Sequence, residues 1–480
     1  MSYNPKEYLK EGWRVMANTF DWKKSIPLFA VLLSGAFITI LNQTLLGTAL
    51  PPIMKDLGLS ETTAQWLQSV FMLVNGIMIP VTAFLIEKFT SRQLFLTAMG
   101  LFAIGTFLAA IAPGFSTLMV GRILQASGAG VMMPLMQTIL FLTFPVHRRG
   151  TAMGLFGLVI AFAPAIGPSL SGFLVDQFSW RSVFYVILPI AVFNIIAAYF
   201  LLKNVTELKD PKLDIPSVIL STVGFGGLLY GFSTAGDAGW LSYQVIFTLI
   251  IGALGLFFFF TRQLNLEHPL LEARVLKHGT FTLATALGMI SFAAMIGTNV
   301  ILPLYMQNMI GFTALKSGLT LLPGAIIMGL SNPITGFLFD KFGGKWLARI
   351  GLLVLSVTTF AFTNLTEETT FAYLATMNGV RMLSISLVMM PMTTLALNQL
   401  PDDLIPHGTA LNNTFRQVAG SIGTAVLVTI MSTAAISNGE MSGSIHGVNI
   451  SFLVAAIASV IGFILSFKLR EDVKPGDKAS

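Results

Sequence analysis

The 480-residue chain has no cysteine, which excludes disulfides, thiolate metal sites and cysteine nucleophiles. Charge is nearly as scarce: Asp, Glu, Lys and Arg make up 10% of the residues, far below the share that a soluble domain carries. The five histidines are scattered, with no His-Glu-x-x-His or other ligand cluster, and no stretch resembles a channel filter. The expectation is a protein with no metal and no cofactor, and not an enzyme. No polar stretch is long enough to fold as a soluble domain.

What is present is apolar. Hydrophobic residues make up 54% of the chain and the mean hydropathy is +0.78. About 20 apolar residues suffice for a helix to cross a bilayer. Such segments lie near 26–50, 64–86, 93–112, 116–141, 151–175, 183–203, 214–234, 241–262, 281–307, 315–339, 343–362, 370–396, 407–433 and 447–467. The predicted fold class is therefore all-α integral membrane, with fourteen transmembrane helices.

A net charge of +6 is what a nucleic-acid partner would call for, but the basic residues fall in alternate loops. Lys6, Lys10, Arg14, Lys23 and Lys24 precede the first span; Lys88, Arg92, Arg148, Arg149, Lys203, Lys209, Lys212, Arg262, Arg274, Lys277, Lys341, Lys345 and Arg349 lie in even-to-odd connections. The opposite loops hold little beyond Lys55, Arg181 and Lys316. The positive-inside rule then places both termini in the cytoplasm, with an even number of spans and no nucleic acid. The first 25 residues lack a cleavable signal pattern; Tyr8, Leu9, Trp13, Met16 and Phe20 could form a surface-lying helix, or the segment could be a solvated tail.

Internal repetition organises the spans. "GFLFDKFGGKW" at 336–346 echoes "AFLIEKFTSRQ" at 83–93, "VMMPMTT" at 388 echoes "VMMPLMQ" at 131, and "GTAL" at 408 echoes "GTAM" at 150, with offsets of 253, 257 and 258. A near-constant offset implies a duplicated six-helix unit. The expected domains are a cytoplasmic N-terminal segment (1–25), an N-terminal six-helix bundle (26–203), two inserted helices with linkers (204–278), a C-terminal six-helix bundle (279–467) and a cytoplasmic tail (468–480). Two facing bundles enclose a mid-membrane cavity that rocking opens alternately to either side.

These motifs resemble the major facilitator superfamily, specifically its fourteen-span drug:proton antiporter branch, and most closely the lincomycin-efflux type of Gram-positive bacteria. "AFLIEKFTSRQLF" is similar to the family's G-x-L-a-D-r-x-G-r-k loop motif, with Ala83 and Thr90 in place of both glycines and Glu87 in place of the aspartate; the copy after span 10 keeps Gly336, Asp340, Gly343 and Lys345. "GRILQASGAG" in span 4 resembles the motif built on Arg122 and Gln125. "GLFGLVIAFAPAIGPSLSG" in span 5 resembles the antiporter motif through Gly154, Ala163, Gly167, Pro168 and Gly172. The resemblance implies a multidrug exporter of a bacterial plasma membrane that draws on the proton-motive force. Its expected partners are small amphipathic drugs, protons and the lipid bilayer.

The loop carboxylates Glu87 and Asp340, with Lys345, are candidate latches, because a carboxylate can dock on a neighbouring helix end; a solvated, topology-setting loop is the alternative. Small residues in span 5 allow close helix approach, and Pro164 and Pro168 allow a bend. A buried charge in a membrane requires a cavity or a partner. Arg122, Arg381 and Arg416 qualify, and the resemblance implies a role in proton transfer for Arg122. Span 1 reads Asn42, Gln43, Thr44 where the family has D-x-T, so Asn42 removes the cavity carboxylate, and no Asp or Glu lies deep in any other span. Gln68, Asn75, Gln137, Asn299, Asn378, Asn412 and Asn413 complete the candidate cavity, although such side chains also join helices. A rival to multidrug efflux is a dedicated exporter of an endogenous metabolite or anionic amphiphile.

Overall fold

In a computed structural model the chain is described over residues 22–206, 208–436 and 441–470. The expected surface helix at Tyr8–Phe20 and most of the tail lie outside these. Among the described residues there are fourteen helices long and apolar enough to span a membrane, and no strand. They are α1 Trp22–Leu57, α2 Glu61–Lys88, α3 Ser91–Ala110, α4 Phe115–Thr143, α5 Arg149–Gln177, α6 Ser182–Leu201, α7 Ile215–Ala238, α8 Tyr243–Asn265, α9 Gly279–Asn308, α10 Ala314–Phe342, α11 Gly344–Ala361, α12 Phe371–Leu397, α13 Ile405–Ile436 and α14 Met441–Ser466.

Local chemistry sets the helix ends. Hydroxyl side chains of Ser60, Thr90, Ser242, Thr313 and Thr370 accept from the first-turn amides of α2, α3, α8, α10 and α12, satisfying donors that a helix start leaves open. Helix α1 runs seven residues past the expected limit of 50, through Pro51 and Pro52. It closes where Gly58 takes φ +63° and the Leu59 amide returns to the Met54 carbonyl, a left-handed cap that glycine adopts without steric cost. The duplicated loops end differently. Gly343 turns at φ +80° between α10 and α11, whereas Thr90 at the matching position stays at φ −62° and forms a capping box with Gln93. The threonine thus replaces a glycine turn with a side-chain cap.

Packing follows the sequence repeat. In the first half α4 packs on α2 and α3, α5 on α1, and α6 on α1 and α3; in the second, α12 packs on α10 and α11, α13 on α9, and α14 on α9 and α11. Every contact has its counterpart eight helices later. The halves meet through two symmetry-related seams, α5 on α10 and α2 on α13. The inserted pair α7–α8 packs through α7 on both α2 and α13, so it sits beside one seam. Asp214 before α7 receives Arg262 of α8 through Nε at 2.7 Å and Nη2 at 2.8 Å. That guanidinium fork, aided by Ser217, holds the Asp214 carboxyl at about 2, well below its ordinary value.

Candidate functional site

The seams are closed at one end of the bundle, the end that carries the basic even-to-odd loops. At the α5–α10 seam, Asp340 Oδ1 accepts from the Gly150 amide at 2.7 Å, and Oδ2 accepts from the Thr151 amide at 2.8 Å and its hydroxyl at 2.6 Å. The carboxylate therefore caps the first turn of α5, where open amides and the helix dipole favour negative charge. Close backbone approach makes this possible: a Cβ on Gly150 would lie 2.6 Å from the Gly336 carbonyl, and one on Gly154 would lie 2.5 Å from the Asn332 carbonyl. Farther along, the Asn332 amide donates to the Gly157 carbonyl at 2.8 Å.

The α2–α13 seam carries the symmetry-related carboxylate contact with different chemistry. Buried Glu87 accepts from Lys209 Nζ at 2.6 Å and lies 3.3 Å from Nε2 of His407. Nδ1 of the same ring accepts the Glu272 amide at 3.1 Å. His407 thus ties α2 to α13 and to the linker before α9. Arg149 reaches across to Asp402 at 3.2 Å and Asn398 at 3.4 Å, with its guanidinium over the Phe141 ring. Thr138 and Thr409 hydroxyls bond at 3.0 Å, and the Asn413 amide donates to Gln137 at 2.6 Å.

Arg122 lies inside the first half. Its Nε donates to the Leu67 carbonyl at 3.1 Å, Nη1 donates to Gln125 at 3.0 Å, and the guanidinium covers the Phe71 ring. Gln125 in turn donates to Thr106 at 2.9 Å and Asn42 at 3.4 Å. The opening polar triplet of span 1 therefore divides. Asn42 is buried in the Arg122 network, Thr44 packs where a Cβ on Gly167 would collide with its hydroxyl, and Gln43 is half-buried.

The other expected cavity residues do not form one cluster. Gln68 abuts Gly47 of α1, Asn75 meets Gly130 of α4, and Asn378 meets Gly324 of α10. Asn412 donates to Thr285 at 3.2 Å, and Asn299 is exposed on α9. Arg381 donates from Nε to Thr359 at 3.3 Å and from Nη2 to the Ala294 carbonyl at 2.6 Å; Arg416 lies over the Phe292 ring. Within the span 5 motif, Gly154, Ala163 and Gly167 are buried and Pro168 is exposed. A Cβ on Gly172 would meet nothing within 4 Å, so close approach is not what that glycine supplies. Lys345 is half-buried in the first turn of α11.

Residues 32–424 match the family model described as Major Facilitator Superfamily, and the chain belongs to that family of transporters: it is a multi-pass membrane transport protein, not an enzyme. It is 53% identical over 454 residues to the uncharacterized MFS-type transporter YcnB of Bacillus subtilis, covering 94% of this chain and 96% of the relative. It is also 41% identical over 460 residues to the lincomycin resistance protein LmrB of Bacillus subtilis, covering 93% of this chain and 96% of that protein. Its fold is similar to that of the human organic anion transporter MFSD10 (TETRAN), with a TM-score of 0.67 at 13% identity, covering 92% of this chain and 99% of the other; at that identity the likeness concerns the fold alone.

Among the seam contacts, those not anticipated from the sequence involve His407, Asn332, Asp402 and the pairing of Gly150–Thr151 with Asp340. The repeat held the signal. Arg149-Gly150-Thr151 aligns with His407-Gly408-Thr409, so the helix start that faces Asp340 identifies the helix start that faces Glu87.

Proposed function

We propose that the chain exports amphipathic drugs in exchange for protons by alternating access. The observation that carries this reading is the pair of symmetry-related latches, Asp340 on the start of α5 and Glu87 on His407 at the start of α13. Both couple a loop carboxylate of one half to a helix end of the other. Breaking both frees one end of the two seams, and rocking then moves access across the membrane. The positive-inside rule assigns the latched end to the cytoplasm, with both termini on that side of a bacterial plasma membrane; the conformation is then closed inward. Arg122 with Gln125 supplies a buried polar network that protonation elsewhere can bias. The relation to a protein named for lincomycin resistance supports a drug substrate.

Everted vesicles from cells expressing the chain test the proposal. Lincomycin and ethidium uptake should follow an imposed proton gradient and collapse with an uncoupler. Uptake indifferent to the uncoupler would remove proton exchange. Reporter fusions at Lys209 and Arg274 should read cytoplasmic, and a fusion at Asp237 should read external.

A further inference from the structure

Ion pairs among the described residues lie at helix ends and in linkers: Lys88 with Asp210, Arg149 with Asp402, Arg181 with Asp56, Lys209 and His407 with Glu87, Arg262 with Asp214, and Arg274 with Glu272. Arg122, Arg381 and Arg416 are at most 5% exposed and appear in none of them. A guanidinium removed from water without a counter-charge is expensive, so what each one does with its five N–H donors is informative. Arg122 and Arg381 donate to backbone carbonyls and neutral side chains, as described above, although Nη1 of Arg381 is also buried without a partner. Arg416 donates to nothing among the described residues: its Nε and Nη1 are buried without a partner, and its one aromatic contact is the Phe292 ring, 4.8 Å from the guanidinium carbon.

The position of Arg416 gives this a direction. It follows Asn413 by three residues on α13, about 4.5 Å of helix rise. The Asn413–Gln137 bond is the last hydrogen bond between the halves along α13 from the basic end, among the described residues. Arg416 therefore stands one turn beyond the closing layer, and Gln137 in that layer also keeps a buried amide nitrogen, Nε2, without a partner. Both unsatisfied groups are donors. A ligand that completes the Arg416 guanidinium is an acceptor with negative charge, and a planar fork suits a carboxylate or a phosphate best.

We propose that among the amphiphiles it transports the chain favours those with an anionic head, a carboxylate or phosphate monoester, which Arg416 grips one turn beyond the closing layer while Phe292 meets the apolar body. The proposal rests on the export reading and names its substrate class. The test uses the full chain in proteoliposomes under an imposed proton gradient, with dansyl-labelled alkyl probes that share one tail and end in a carboxylate, a phosphate, a neutral amide or a trimethylammonium. The anionic probes should move about tenfold faster than the cationic one, and the faster of the two anions identifies the head. Arg416→Gln should lower anionic transport about tenfold and leave the neutral probe within about twofold, and Arg416→Lys should restore part of the loss. Cationic or neutral probes moving as fast as the anions in the wild type would overturn the anionic class and leave export intact. An equal loss of all probes in Arg416→Gln, at equal monodispersity, would make Arg416 a packing residue. Transport of no probe would remove the export reading itself. If Arg416→Gln fails to accumulate, the wild-type ranking of heads still decides.

Discussion

Gly150 and Gly336 touch through their backbones: a Cβ on Gly336 would collide with the Gly150 carbonyl oxygen. No rotamer change relieves a clash with backbone, so a side chain here must push α5 and α10 apart. Gly336→Val should open the latched end. Because the chain has no cysteine, spin labels can be placed directly at His147 and Lys341, both exposed, and their distance distribution should move to longer values in the variant. An unchanged distribution would mean the seam yields elsewhere.

Asp340 is expected to hold the same seam electrostatically. Asp340→Asn keeps one acceptor oxygen but loses the charge that complements the α5 dipole, a contribution of up to about 2 kcal/mol in partly buried geometry. The same label pair should show a larger open population, and lincomycin export should fall several-fold with protein level unchanged. Wild-type behaviour would assign the closure to backbone contact alone.

Asn42→Asp places a carboxylate beside Gln125, which already holds Arg122. The new charge should be neutralised within that network and not reach a substrate. Ethidium and lincomycin efflux should keep their ratio within about twofold, while the pH dependence of export moves. A selective rise of about tenfold in ethidium efflux would show that residue 42 faces the cavity.

Asp214 and Arg262 tie α7 to α8. The folded carboxyl titrates at about 2, against an ordinary 3.8. A depressed carboxyl stabilises the fold above the ordinary value, and that stabilisation disappears as pH falls toward 2. Asp214→Asn should therefore lower thermal stability in detergent at pH 7, by about 1 kcal/mol or less for a half-exposed pair. The gap between variant and wild type should persist to about pH 4 and shrink below it. A gap that vanished near neutral pH would contradict the ion pair as its source.

The spans were legible because hydrophobicity and length alone require a transmembrane helix, and the halves were legible because a sequence offset maps onto equivalent helices. The run of α1 through Pro51 and Pro52 was not, since its end depends on the Gly58 cap and not on hydropathy. The polar residues inside the spans were legible by type but not by partner. Asn42, Gln43 and Thr44 are adjacent in sequence, yet helical geometry turns successive side chains by about 100°, sending Asn42 toward Gln125 and Thr44 toward Gly167. His407 is not legible in the sequence because its contacts come from segments distant in sequence, Glu87 with Lys209 and Glu272, that meet only after folding.

The inserted helices make the two flanks of the transporter unequal. Trp66 of α2 stacks on Tyr230 of α7 at 5.7 Å, Trp240 beside α7 donates to Thr429 of α13, and Phe260 of α8 stacks on Phe415 of α13. The α2–α13 flank is thereby shuttered, whereas α5 and α10 present Ile166, Phe173, Leu330, Ile334 and Phe337 outward with no further helix over them among the described residues. An oily molecule dissolved in the bilayer therefore meets a second layer of helices on one flank and the bare surface of α5 and α10 on the other.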